Sequence, residues 1–143
     1  MFKGGNIMSM TAHQQYKQVQ VKTANNKKLL IMLYQGCIKF LRIAKKSIKE
    51  DDFENANEYL KKSQDIVNEL RYTLDMEKGG EISNNLYQLY SFMYSELVSA
   101  NVNKDIQHIE TVEEMMLELL ETWKEIINNP QQKQGEQKIN RSG

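Results

Sequence analysis

The amino-acid sequence predicts an all-α protein, an antiparallel up-down four-helix bundle with a short N-terminal arm and a disordered C-terminal tail. Its composition favours helices, with one proline and seven glycines among 143 residues. The periodicity of its apolar residues also predicts helices, because four segments of about 20–25 residues with a helical apolar pattern are separated by short breaks. Helices that are joined by such short turns run antiparallel to each other. We expect the bundle over 25–128, a mobile start over 1–15, an arm over 16–24 and the tail over 129–143.

The first helix is predicted from Lys27 to Glu50, and its apolar face is unusually wide. Six consecutive apolar residues, 29–34, point in every direction when each is turned by about 100°. The apolar arc is about twice as wide as the arc of a little over 100° that a surface helix needs. We therefore expect the helix to contact its own fold on one side and a partner on the other. Its narrow polar strip consists of Lys28, Gln35, Lys39, Arg42 and Lys46.

The second helix is predicted over about 52–75 and has a single apolar face. Asp51 followed by Glu54 resembles a capping box, the arrangement that starts a helix. Gly79 and Gly80 then break the chain, since glycine adopts loop conformations at little cost. The apolar face comprises Phe53, Ala56, Tyr59, Leu60, Ser63, Ile66, Val67, Leu70 and Leu74.

The third helix, predicted over about 81–101, again carries a wide apolar arc. The fourth helix should end near Asn128, before Pro130, and bury Leu120 and Trp123 in the core. The central stripe of the third helix is predicted to be Ile82, Leu86, Leu89, Met93, Leu97 and Ala100, with Tyr87, Tyr90, Tyr94 and Val98 along one flank.

The charge is divided unevenly along the chain although the net charge is zero. Residues 1–49 carry ten Lys or Arg and no acid, so the remainder has a net charge of −10. We expect the basic first helix to pair with the acidic residues between Glu110 and Glu125, which argues against nucleic-acid binding. No apolar run reaches the roughly 18 residues of a membrane span, and no signal peptide is recognisable. These features, with the lone Cys37, predict a cytoplasmic protein without membrane insertion.

Residues that could perform catalysis are scarce, and we predict no enzymatic activity, metal or cofactor. A di-metal carboxylate bundle is the alternative to weigh, but it needs Glu-x-x-His pairs on two helices. The chain has two histidines, His13 and His108, and only Asp105 with His108 approaches that spacing. Cys37 lies in an apolar stripe, which favours a buried thiol over a nucleophile.

The excess apolar surface on two helices predicts a groove that receives an amphipathic helix of a partner. The arm 16–24 is expected to fold over part of this groove as a lid when no partner is bound. A second copy of the chain could cover the same surface, so a weakly self-associating bundle without a foreign client is the alternative. The predicted contact residues are Tyr16, Val19, Ile31, Tyr34, Ile38, Tyr87, Tyr90, Tyr94 and Val98.

Several motifs together resemble one protein family. YKQVQVKTA and LLIMLYQG in the first third of the chain, LDMEKGGEI at 74–82, AN at 100–101 and TWK at 122–124 are similar to the flagellar secretion chaperone family FliS. The likeness covers about 16–127. It implies a cytoplasmic four-helix chaperone that binds the C-terminal helical segment of flagellin, prevents early polymerisation and delivers the client to the flagellar export apparatus. Other flagellar assembly factors are further partners to expect, and the resemblance implies no catalysis.

Overall fold

The computed structural model describes residues 26–129, and this part of the chain is helical without a strand. The chain divides into two compact units, residues 1–32 and 33–143. The first unit contributes only the opening turns of the first helix to the description, so the packing reported below concerns residue 33 onward. The helices are α1 (Asn26–Lys49), α2 (Phe53–Tyr72), α3 (Gly80–Asn103) and α4 (Ile106–Asn128). The predicted segments 1–15 and 16–24, and the predicted tail from residue 130 onward, lie outside the described residues.

Each helix runs antiparallel to the next, as the paired residue numbers show. Cys37 Sγ lies 4.0 Å from the carbonyl oxygen of Ser63, whereas Ser47, further along α1, bonds Asn55, nearer the start of α2. Numbers that rise on one helix while they fall on its neighbour mark antiparallel packing. Arg71 with Ser91 and Asn57 with Asn101 give the same result for α2 and α3. The predicted antiparallel four-helix fold is confirmed.

The first and last helices are also neighbours, which closes the bundle. Arg42 Nε donates to Glu113 Oε2 over 2.8 Å, and Lys45 Nζ donates to Glu113 Oε1 over 2.9 Å. Lys45 also lies 3.6 Å from a carboxylate oxygen of Glu110. The expected pairing of the basic first helix with the acidic fourth helix is therefore present. The helices stand in the order α1, α2, α3, α4 around one core, with α1 beside both α2 and α4.

The core is built from apolar side chains that recur every three or four residues, the spacing of one helix face. Leu120 is buried as predicted, whereas Trp123 is only half-buried, at the edge of the core. The buried apolar residues of the last three helices are Ala56, Leu60, Val67, Leu70, Tyr90, Met93, Leu97, Ala100, Ile109, Val112, Met116 and Leu120.

The start of α2 differs by one residue from the prediction. Asp52, not Asp51, is the N-cap, and its carboxylate accepts a hydrogen bond from the backbone N–H of Asn55. Asp51 instead adopts the left-handed conformation with φ of 59° in the turn. The predicted break at Gly79 and Gly80 is present, since α3 begins there and Gly80 has φ of 55°.

The core face of α3 is rotated relative to the predicted stripe. Tyr90 shares the buried stripe with Met93, Leu97 and Ala100. Ile82 and Leu89, which we expected in the centre of the stripe, are exposed. A helix that is apolar almost all round offers several faces of similar hydrophobicity, so the pattern alone does not select the one that faces the core.

Candidate partner-binding surface

Three of the predicted contact residues in the second unit have accessible side chains. They lie together on α3, beside α2. Tyr87 is 44% exposed and Val98 is 39% exposed. Tyr94 lies between them in sequence and is half-buried. The spacing of seven and four residues places these three on one flank of the helix, which we call the aromatic flank. The structure thus brings Tyr87, Tyr94 and Val98 to one surface between α2 and α3.

Arg71 of α2 joins the aromatic flank from the neighbouring helix. Its guanidinium carbon lies 5.0 Å from the ring centre of Tyr94 and 5.9 Å from that of Tyr87, within the range of cation–π attraction. Its Nη1 donates to Ser91 Oγ over 3.2 Å, and Nη2 donates to Asn68 Oδ1. The two tyrosine rings therefore face a cation that is itself held in place by hydrogen bonds from two of its N–H groups.

A shallow cavity of about 250 Å³ continues the surface toward the end of α3. Its lining combines two valines, Val98 and Val102, with the amides of Asn57, Gln64 and Asn101. Asn101 Nδ2 donates to Asn57 Oδ1 over 2.7 Å. Amide side chains both donate and accept hydrogen bonds, so apolar contact and bonding to peptide groups are available side by side. Such a surface suits a polypeptide.

Three predicted contact residues lie in the core of this structure. Tyr34, Ile38 and Tyr90 are buried, so the expectation that they form exposed apolar surface is wrong, while their role in partner binding stays a prediction. The reason is that α1 packs against α2 on one side and α4 on the other. A helix with two neighbours and a diagonal contact needs a wide apolar arc without any external partner.

The buried tyrosines form a small polar cluster within this core. The hydroxyl groups of Tyr34 and Tyr90 are 2.6 Å apart, and Trp123 Nε1 donates to the Tyr34 hydroxyl over 3.3 Å. Burial raises the pKa of both phenols above the ordinary value, because the charged phenolate would lose its hydration. Both side chains are neutral, and the cluster connects α1, α3 and α4.

The remaining predicted contacts belong to the first unit. Ile31 is half-buried near the start of α1. Tyr16 and Val19 lie outside the described residues. The roles of Tyr16, Val19 and Ile31 in partner binding therefore remain predictions.

Sequence reasoning missed several residues of this surface and a second exposed flank of α3. Ile82, Leu89 and Phe92 are further exposed apolar residues of α3 that lie outside the aromatic flank. Arg71, Asn57, Gln64 and Asn101 were missed because polar side chains on an amphipathic helix are ordinarily solvated. Tyr90, Met93 and Leu97 follow one another at spacings of three and four residues, which places them on one helix face. This spacing was the signal that could have distinguished the core-facing residues of α3 from its exposed residues.

The described residues do not assemble recognisable catalytic machinery. Cys37 is fully buried, and burial raises the pKa of its thiol to about 12, so the reactive thiolate is strongly disfavoured. Within residues 26–129, no three His, Cys, Asp or Glu side chains converge as metal ligands would. The helices in that range also lack a stretch long and apolar enough to span a bilayer.

Comparison with known proteins identifies the family. Residues 9–130 match the family described as flagellar protein FliS. The chain is 39% identical over 114 residues to the flagellar secretion chaperone FliS of Bacillus subtilis, covering 80% of this chain and 84% of that protein. It is 36% identical to the Campylobacter jejuni FliS over 82% of this chain and 92% of that protein.

The fold is also similar to a solved structure. A crystal structure of a flagellar chaperone from bacteria superposes with a TM-score of 0.70 at 22% identity, covering 85% of this chain and 98% of that one. The four-helix architecture, the family match and the curated relatives agree. The chain therefore belongs to the FliS family of flagellar secretion chaperones.

Proposed function

We propose that this protein is a cytoplasmic export chaperone that binds the C-terminal helical segment of flagellin. In this role it keeps the client from polymerising early and delivers it to the flagellar type III export apparatus, without catalysing a reaction. The observation that carries the proposal is the unusual exposure of apolar side chains along α3, because six of its large hydrophobic residues are exposed. They are Ile82, Tyr87, Leu89, Phe92, Val98 and Val102.

The chemistry of the surface supports a helical client. An amphipathic helix presents apolar residues three or four positions apart, and the aromatic flank offers apolar partners at a matching spacing. Tyrosine adds large contact area at a low cost in conformational entropy. The amides of Asn57, Gln64 and Asn101 can bond client peptide groups where the client helix ends. Ile31, Tyr16 and Val19 stay predicted contact residues of the client.

Titration calorimetry with the C-terminal peptide of flagellin from the same bacterium tests the proposal. We expect Tyr94→Ser and Val98→Ser to weaken binding by about tenfold each, equivalent to roughly 1.4 kcal/mol. Leu117→Ser is the matched control, since Leu117 is 37% exposed, close to the exposure of Val98, but lies on α4. Thermal melts of each variant separate binding from folding. Equal affinity of all four proteins would overturn the assignment of the surface.

A self-associating bundle without a foreign client would cover the same apolar residues with a second copy. Sedimentation at several concentrations distinguishes the two functions. Chaperone function predicts that flagellin peptide converts any self-associated species to a one-to-one complex. Failure of the peptide to bind or to change the mass would favour the self-associating alternative.

A further inference from the structure

A second groove lies on the side of the bundle opposite the aromatic flank, between α1 and α4, and of the predicted contact residues in the second unit only Ile38 lines it. Its volume is about 510 Å³. Its apolar lining consists of Ile38, Ile43, Leu117 and Leu120. On α1 it extends from Gln35 to Lys46, roughly 16 Å at 1.5 Å per residue. This length corresponds to about three turns of a helix laid along it.

The charged side chains that line this groove all have the same sign. They are Lys39, Arg42 and Lys46, at spacings of three and four along α1, so they form one row along the groove. Arg42 already donates to Glu113 over 2.8 Å. Lys39 and Lys46 are exposed and form no ion pair with an acidic residue within 26–129. The groove therefore pairs an apolar floor with two cations available to an incoming ligand.

The pattern of the groove defines the chemistry of its occupant. An apolar floor of this length fits the leucine, isoleucine or methionine stripe of an amphipathic helix. A row of cations along one edge favours a helix whose stripe is bordered by Asp or Glu on that side. We propose that the α1–α4 groove docks an acidic amphipathic helix of a second protein, separately from the client surface on α2 and α3.

This inference does not depend on the identity of the client. The two surfaces lie on opposite sides of the bundle formed by residue 33 onward, because α1 and α4 are adjacent and α2 and α3 are adjacent. A helix in the α1–α4 groove leaves the aromatic flank accessible. The protein can then hold two polypeptides at once, as an adaptor that links a client to a second component.

Two synthetic peptides test the charge and the shape of the occupant. Each is a fluorescently labelled amphipathic peptide of about 18 residues, long enough to form a helix, with Leu at positions three and four apart. One carries Glu beside the leucine stripe and the other carries Lys at the same positions. We expect the intact chain to bind the Glu peptide about tenfold more tightly in fluorescence anisotropy, and rising NaCl to reduce the difference.

A charge-reversed chain supplies a readout that loss of folding cannot imitate. The double variant Lys39→Glu/Lys46→Glu should prefer the Lys peptide, because the exposed edge of the groove is then acidic. Leu117→Asp should weaken both peptides without reversing the preference. Tyr94→Ser is the control on the other face and should leave the affinity for the Glu peptide unchanged.

Several results would overturn the proposal. No binding of the Glu peptide, equal binding of both peptides, or an unchanged preference in Lys39→Glu/Lys46→Glu would each exclude an acidic helix from this groove. A full-length chain that sediments as a dimer and becomes monomeric in Leu117→Asp would instead identify a second copy as the occupant.

Discussion

Tyr34 connects three helices through one hydroxyl group. It lies on α1, its oxygen is 2.6 Å from the hydroxyl of Tyr90 on α3, and it accepts the indole N–H of Trp123 on α4. A buried hydroxyl that is hydrogen-bonded adds little net stability, but leaving its partners unpaired is costly. The tyrosines of this cluster are therefore structural in the empty protein, and the order in which they tolerate substitution follows from their partners.

Tyr34→Phe should destabilise the protein more than Tyr90→Phe. The first change leaves both the Tyr90 hydroxyl and the Trp123 N–H without their partner, at a cost of about 1–2 kcal/mol. After the second change, the Tyr34 hydroxyl still accepts from Trp123, so the cost should be about 0.5–1 kcal/mol. Urea midpoints measure both. Tyr72→Phe, at a residue that is 86% exposed, is the control, and equal losses in all three variants would contradict this network.

Glu113 is the second residue whose environment determines its role. Partial burial opposes its ionisation, yet hydrogen bonds from Arg42 and Lys45 outweigh this and hold the pKa of the carboxyl below its ordinary value. The same contact raises the pKa of Lys45, mainly through its hydrogen bond to Glu113. The ion pair joins the basic and acidic parts of the chain, with the Glu113 carboxylate largely buried and the Arg42 side chain exposed.

Glu113→Gln should lower the free energy of unfolding by about 1–2 kcal/mol, because two cations then lose a charged partner. The loss should stay moderate, since the Arg42 side chain is 58% exposed and water can replace the contact. Glu114→Gln changes the adjacent exposed residue and should have no measurable effect. A double-mutant cycle with Lys45→Met measures the coupling directly, and a coupling energy near zero would show that the pair is not stabilising.

At the scale of the helical element, the turn between α1 and α2 contains two aspartates, one that stabilises the turn and one that adopts an unfavourable backbone conformation. Asp52 caps α2 through its carboxylate. Asp51 has φ of 59°, a conformation that costs a residue with a side chain more than it costs glycine. Neighbouring residues of the same type therefore have opposite effects on the stability of the turn.

Asp52→Ala should destabilise the protein by about 1 kcal/mol through loss of the N-cap. Asp51→Gly should instead stabilise it by about 0.5 kcal/mol, since relief of the left-handed conformation outweighs the added freedom of the unfolded chain. Thermal and urea unfolding of the two variants provide the comparison. If Asp51 were the cap, as the capping-box pattern suggested, the two effects would be exchanged.

At the scale of the bundle over residues 33–129, stability depends on pH through two contacts with opposite signs. His108 Nδ1 lies 2.9 Å from Glu96 Oε1, and this hydrogen bond raises the pKa of the imidazole above its ordinary value. Its stabilising effect is fully present below pH 6.5 and is lost as the pH rises through the folded-state pKa. Glu113 has the opposite pH dependence. Because its pKa is lowered in the folded state, its stabilising effect is lost as the pH falls.

Unfolding free energy should therefore fall on both sides of a maximum. On the acid side it decreases from the ordinary carboxyl pKa of 4.5 downward as Glu113 becomes protonated. On the alkaline side it decreases above pH 6.5 as His108 loses its proton. Urea midpoints across this range test the profile in a chain carrying His13→Gln, so that His108 is the remaining histidine. Adding Glu96→Gln should reduce the decrease in unfolding free energy above pH 6.5. If the decrease were unchanged, the contact between His108 and Glu96 would not be its cause.

The arrangement of the bundle also separates the two proposed binding surfaces. The aromatic flank lies between α2 and α3, whereas the basic groove lies between α1 and α4. Each surface is formed by two helices that are adjacent in space, but only α2 and α3 are consecutive in sequence. The closing contact between the first and last helices creates the second groove, so its existence depends on the complete bundle.

The sequence by itself determined the four helices, their antiparallel order and the family, because periodicity, glycine breaks and short connections are local properties of the chain. It also indicated the ion pairing of α1 with α4 and the excess of apolar side chains on α3. The tertiary structure decided which apolar residues are buried. Tyr34 and Tyr90 look like surface residues in the pattern, but neighbouring helices enclose them, and Ile82 and Leu89 are exposed instead. The physical reason is that a helix apolar on most of its circumference has no unique core face until its neighbours take their places.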